Sequence, residues 1–208
     1  MPARYQSGGA PVIQIQATGG GEVWAEVDVD PQGAASRVTI LRETPPFTVP
    51  VQKLLESWRF RAAEALEPST PNGPAPRRRP VRSRVFVAAM FRPPTINTPT
   101  FGQVPKPVRA ASSDVPFPIA SPMPQYTPNA LFDGVVLVEV RVGTDGAVTD
   151  ATVLQSAAGF DLDALQTAKQ WRFHPARVDN ENVPSYAYLA FAFRQPITIG
   201  NKRPGADR

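Results

Sequence analysis

Val136, Val138, Val140 and Val142 alternate with Leu137, Glu139 and Arg141. That period of two predicts a strand with one face on a core. Asp145-Gly146 tolerates positive φ and predicts a hairpin turn into a second strand over about 147–154. A helix is predicted from Asp161, a good N-cap, with Asp163 suited to the positive end of the macrodipole. Leu162, Leu165, Ala168 and Trp171 fall in one sector of it, enough to bury a face. A last strand over about 185–194 would turn Leu189, Phe191 and Phe193 to the core, and Tyr186, Tyr188 and Ala192 the other way.

The same grammar occurs earlier in the chain. A shift of 113 residues sets Pro11 on Pro124, Gly21 on Gly134, Gly33 on Gly146, Phe47 on Phe160 and Trp58-Arg59-Phe60 on Trp171-Arg172-Phe173. The closing strand of the first copy, Val85, Val87, Ala89 and Phe91, aligns on Ala187, Leu189, Phe191 and Phe193 at a shift of 102. The difference is an insertion in the first copy, at the Pro/Arg-rich stretch between Trp58 and Arg84. Copy one thus has Val23, Ala25, Val27 and Val29 facing the core and Trp24, Glu26 and Asp28 outside. Its helix begins at Thr48 and offers Val49, Leu54, Leu55 and Trp58. Trp58, Phe60, Trp171 and Phe173 are expected core anchors.

The expected fold is α+β: two tandem β-β-α-β modules, each an antiparallel sheet with one helix on one face. Ten of the 25 prolines fall between Pro93 and Pro128, and five more between Pro68 and Pro80. Proline fixes φ and donates no hydrogen bond, so these stretches are expected outside helices and central strands. The organisation is then a tail over 1–10, a module over 11–92 with its insertion at about 67–80, an extended Pro-rich connector over 93–123, a module over 124–196 and a tail over 197–208. A module of about 75 residues buries little surface alone, so the copies should pack on each other or on a partner.

Composition removes most chemistry. Among 208 residues there is no cysteine, and His174 is the single histidine. Disulfides, thiolate sites and His-rich metal sites are excluded, and the carboxylates show no pairing for acid–base work. No catalytic residue, cofactor, metal or small-molecule substrate is therefore assigned, and an enzyme is not expected. The net charge of +4 is uneven. Residues 1–92 carry 12 Lys+Arg against 8 Asp+Glu, whereas 114–196 carry 5 against 9. Such a charge dipole favours oriented docking, between the halves or onto an asymmetric partner. It does not make an even basic glove for phosphate, and nucleic acid is not an expected partner. Arg77, Arg78, Arg79, Arg82 and Arg84 form a basic run that could seat on an acidic partner or on anionic lipid head groups.

With these residues on the page, the chain resembles the C-terminal domain family of TonB, the periplasmic energy transducers of Gram-negative bacteria. The second copy carries most of the pattern: Pro124-x-Tyr126, Ala130, Gly134, the alternating valines, Asp145-Gly146-x-Val148, Ser156, Gly159, Leu162-Asp163-x-Leu165 and Trp171-Arg172-Phe173-x-Pro175-Ala176. The first copy keeps the hairpin glycine and Trp58-Arg59-Phe60. The resemblance implies a non-catalytic module whose last strand pairs with an extended peptide of an outer-membrane transporter. Carried over, the candidate edges are Tyr186, Tyr188, Leu189, Phe191 and Phe193, and in copy one Val85, Val87 and Phe91.

The family's transducers have an N-terminal anchor and a long spacer, and neither pattern occurs in this sequence. The preferred expectation is a non-enzymatic, membrane-extrinsic structural or adaptor subunit that bridges components of a bacterial membrane complex. The alternative is a periplasmic TonB-type energy-transducer module that binds transporter peptides by strand addition. The location is expected to be peripheral to a bacterial membrane: on the cytoplasmic side if Met1 is the native start, periplasmic if a leader or anchor precedes it.

Overall fold

The computed structural model describes residues 1–12, 19–67, 76–94, 109–127, 130 and 132–196. In chain order the first half forms β1 (Arg4–Ser7), β2 (Gly21–Val29), β3 (Ala35–Arg42), α1 (Thr48–Ser57), β4 (Arg59–Arg61), β5 (Ala63–Leu66), β6 (Arg78–Val81) and β7 (Ser83–Phe91). The second half forms β8 (Phe117–Ala120), β9 (Gly134–Val142), β10 (Val148–Gln155), α2 (Asp161–Gln170), β11 (Arg172–His174), β12 (Ala176–Val178), β13 (Glu181–Val183) and β14 (Ser185–Phe193). The second series repeats the order of the first. The expected α+β module is present in each half, with short strands after each helix that the alternation pattern was too brief to reveal.

The long strands form one six-stranded sheet in the order β10-β9-β14-β7-β2-β3. Each half supplies three antiparallel strands, and the halves join where β14 runs parallel to β7, Ala187 opposite Phe86 through Ala192 opposite Phe91. Side chains alternate between two cores. On one face Ala164 and Ala168 of α2 share a core with Phe86, Met90, Val138, Leu189 and Phe191. On the other face α1 places Val51 and Leu55 against Val23, Val27, Val87, Tyr188 and Ala190. Parallel central strands with helices on opposite faces are what a two-fold axis along the strand direction requires. The halves are therefore related as the subunits of a symmetric dimer would be.

This arrangement corrects the expected polarity of the strands. Trp24 and Leu137, assigned outward, are both fully buried, because the sheet face away from each module's own helix is built into the core on the other module's side and covered by an arm. Two arms complete the cover. β1 pairs with β4 and brings Tyr5 onto Tyr188, their rings 6.0 Å apart. β8 pairs with β11 and brings Phe117 to 5.8 Å from Trp24. Part of the stretch 93–123 is thus a short strand, tolerated with Pro118 because only β11 pairs with it. Residues 95–108 of the expected connector lie outside the described residues.

The helices also depart from expectation in detail. Thr48 and Asp161 occupy the first helical position, after Phe47 and Phe160. Their side chains reach backward instead, accepting hydrogen bonds from the amides of Thr44 and Ala157. Val49 and Leu162, expected to be buried, are 61% and 67% exposed, since the short first turn points away from the sheet. Aromatic pairs do hold the helix starts: Phe47 stacks on Phe91 at 4.1 Å and Phe160 on Phe193 at 4.4 Å.

The matched glycines and Trp-Arg-Phe triplets have one structural cause. Phe60 donates its amide to the Gly33 carbonyl at 2.7 Å, and Phe173 does the same to Gly146 at 2.9 Å. Both glycines have positive φ, +81° and +79°, and a Cβ there would lie 1.9 or 1.8 Å from the Phe60 or Phe173 carbonyl oxygen. Gly33→Ala and Gly146→Ala are each expected to cost about 2–4 kcal/mol in urea unfolding. A loss below about 0.5 kcal/mol at either site would contradict this close approach. Arg4 donates from Nε and Nη2 to Glu139, whose side chain is only 4% exposed. Arg4→Met should cost about 1–2 kcal/mol by leaving that carboxylate short of donors, and Glu139→Gln should recover part of the loss in the double variant.

Candidate partner-binding surfaces

The strands expected to offer a free edge lie at the centre of the sheet. β14 holds Tyr186, Tyr188, Leu189, Phe191 and Phe193 between β9 and β7, and β7 holds Val85, Val87 and Phe91 between β14 and β2. Neither is an edge, because each module's last strand is the other's neighbour. Six registered residue pairs make the seam. Opening it would strip backbone partners worth about 1 kcal/mol net apiece and expose apolar side chains on both faces, a cost of at least several kcal/mol. The outer edges of the sheet are β3 and β10. A groove of about 450 Å³ flanks β3, lined by Arg37, Val38, Thr39, Ile40, Glu43, Gln52 and Arg109.

The expected anchors sit in the cores: Trp58, Phe60, Trp171 and Phe173 are all no more than 2% exposed. Their equivalence extends to hydrogen bonds that sequence reading did not identify. Trp58 Nε1 donates to the Gly9 carbonyl and Trp171 Nε1 to that of Pro122, positions related by the same 113-residue shift. Each tryptophan therefore ties down the arm before its own module.

The basic run does not act as one patch. β5 and β6 form a hairpin, Ala63 opposite Val81 through Leu66 opposite Arg78, on which Arg77, Arg78 and Arg79 are exposed. Arg82 is exposed just beyond it. Arg84 belongs to the fold instead. Its Nε donates to Asp28 at 2.6 Å and its Nη1 to Asp114 at 2.8 Å, beside a cavity of about 240 Å³. Burial disfavours its charge, but the bonds and fields of Asp28 and Asp114 outweigh this and hold its proton more tightly than usual. Residues 68–75 of the insertion lie outside the described residues.

Buried charge marks the joints between halves. Glu26 accepts from the amide and hydroxyl of Ser112, and its counterpart Glu139 from Arg4 and from Tyr188 Oη. The hydrogen bond to Glu139 raises the Arg4 pKa, and burial raises that of Tyr188. Arg92 lies 5.7 Å from the Tyr126 ring, donates to the Pro124 carbonyl, and has its pKa lowered by burial. The cross-half ion pairs Arg4–Glu139 and Arg84–Asp114 run from the basic half to the acidic one. Among the described residues no cluster of three or more His, Cys, Asp or Glu is placed to hold a metal. His174 is exposed.

Each half is thus a three-stranded antiparallel sheet with one helix on its face, closed by an aromatic strand. Residues 124–195 match the family of the Gram-negative bacterial TonB protein C-terminal. The match spans the second module, about a third of the chain, and stops short of the first. Domains of that family are non-enzymatic and bind other proteins, and its proteins are membrane-associated and periplasmic. The match gives no support to a cytoplasmic location. No curated protein matches the chain. Among the described residues no helix is long and apolar enough to cross a membrane.

Glu22 offers a pH test of the first module. It is 2% exposed, and burial raises its pKa although Arg42, 3.3 Å away, opposes the shift. The native state therefore holds this proton more tightly than the unfolded chain. Its contribution is fully present below the ordinary carboxylate range and is lost as pH rises through the raised value. Relative to Glu22→Gln, the wild type should lose melting temperature as pH rises above the ordinary carboxylate range; parallel curves would show that Glu22 is not the cause.

Proposed function

We propose that the chain is a non-enzymatic, membrane-extrinsic adaptor subunit that bridges components of a bacterial membrane protein complex. In this reading a tandem duplication fused two TonB-like modules, and Pro-rich segments serve as arms and connector. The parallel pairing of β7 with β14 is the observation that carries it. A strand-addition module needs its last strand open, and here each last strand is consumed by the other. What remains available is an outer surface with two widely separated edges, suited to holding two neighbours at once. The family's setting supports the periplasmic face of a membrane.

The alternative, an energy-transducer module adding a transporter peptide along Tyr186–Phe193, requires the seam to open at the cost given above. Tagging the C-terminus, solubilising native membranes mildly and resolving the tagged species on a native gel separates the two. The adaptor reading expects fixed stoichiometry with one large membrane assembly. Recovery of only free monomer would sink it, and weak recovery of outer-membrane transporters would establish strand addition instead.

A further inference from the structure

The molecule contains its own control for one surface feature. The β5–β6 hairpin of the first half and the β12–β13 hairpin of the second occupy equivalent places in the fold. They differ in size and charge. Between Phe60 and Val85 the chain carries Arg61, Arg77, Arg78, Arg79, Arg82 and Arg84 against Glu64 and Glu67. Between Phe173 and Ala187 it carries Arg177 against Asp179 and Glu181. A hairpin needed only to close the module can be short and nearly neutral, as β12–β13 is, with a two-residue turn at Asp179 and Asn180. Arg84 is tied into the fold by Asp28 and Asp114, whereas the other added arginines hold no close ion pair among the described residues. Arg77, Arg79 and Arg82 have no ion pair among the described residues, and Arg78 reaches Glu64 only at 3.8 Å.

We propose that the β5–β6 hairpin seats the protein on an anionic membrane surface, with phosphate head groups taken by Arg77, Arg78, Arg79 and Arg82 and Leu66 entering the interface. Two observations favour a bilayer over an acidic protein. Arg78 and Arg79 lie on successive positions of β6 and so point to alternate sides, with Arg77 just before the strand and Arg82 just after it, and together they make no single flat epitope. A diffuse charged plane rewards their sum without fixed geometry, at about 1 kcal/mol per cation near the surface. The second observation is Leu66, 63% exposed and directly opposite Arg78. An apolar side chain flanked by long cationic ones is the arrangement that lets a stem lie in the acyl boundary with its charge at the head groups. The inference goes beyond the bridging reading: it assigns the face that meets lipid and needs no protein partner to be true.

The test is sedimentation of the full chain with vesicles of phosphatidylcholine, with and without about one phosphatidylglycerol in four. Binding is expected to the anionic vesicles only and to weaken with salt. Reversal of the four arginines (R77E, R78E, R79E and R82E together) should lower partition roughly a hundredfold or more. The corresponding glutamines should give an intermediate loss, which covers the case in which the reversed protein folds poorly. Leu66→Ser should lower partition about fivefold with the charge unchanged, and Arg177→Glu on the other hairpin should leave it within about twofold. No sedimentation of the wild type at low salt, equal binding to neutral vesicles, or full binding after the four reversals would each overturn the proposal. None of these outcomes bears on recovery of a membrane assembly, so the adaptor reading stands or falls separately.

Discussion

The parallel pairing of β7 with β14 is the contact on which the rest of the architecture depends. Each module ends in an apolar strand whose outer backbone groups need partners, and an exposed strand of that kind is a template for aggregation. Pairing the two last strands satisfies both. Everything else follows from the direction of that pairing. Parallel strands related by a two-fold along their own axis must present opposite faces, so α1 and α2 lie on opposite sides of one sheet. Each helix covers its own half, and the faces left bare at the far side must be closed by something else. The arms at 1–10 and 109–122 close them, each held by the tryptophan after its module's helix.

This geometry also explains acids at positions where a strand buried on both faces should be apolar. Glu26 and Glu139 are equivalent, and both lie on faces that a lone module would leave to water. Once the second module and an arm arrive, the carboxylates are 6% and 4% exposed and need donors. Ser112 and Arg4 supply them from the two arms. A buried acid with one specific donor adds little net stability but penalises any arm placement that leaves it unpaired. The two glutamates therefore fix where the arms lie rather than how tightly the sheet holds.

How much of this was legible in the sequence depends on the range of the interactions involved. The valine alternation, the turn glycines and the Trp-Arg-Phe triplets report contacts within one module, and they located β2, β3, β9, β10 and both helices. The partner of a last strand is a contact between residues about a hundred apart, and alternation says nothing of which strand lies beside which. Val85–Phe91 and Tyr186–Phe193 therefore read as edges, though β7 and β14 are the most enclosed strands of the sheet. Trp24 held the missing signal: a tryptophan on a supposedly wet face, opposite Val23 and Ala25, is hard to reconcile with a strand open to solvent. Leu162 and Val49 misled in the other direction, since three-residue spacing extrapolates a core face into a first turn that has already left the sheet.

Closure of the central edge changes what a TonB-type module can do. In the transducer reading a single module would commit one end of its sheet to a peptide. In this chain the outermost strands of the sheet among the described residues are β3 and β10, five strand spacings apart, or about 24 Å. Those edges face away from each other across the sheet. Their surroundings are not equal, however. Arg37 and Arg109 line the groove beside β3, whereas β10 carries Asp150 and no cation. The fold is nearly symmetric and its surface is not, which is the combination a bridge between two different neighbours requires. In the proposed bridge, symmetry would supply two similar docking frames, and the divergent charges would decide which neighbour each frame accepts.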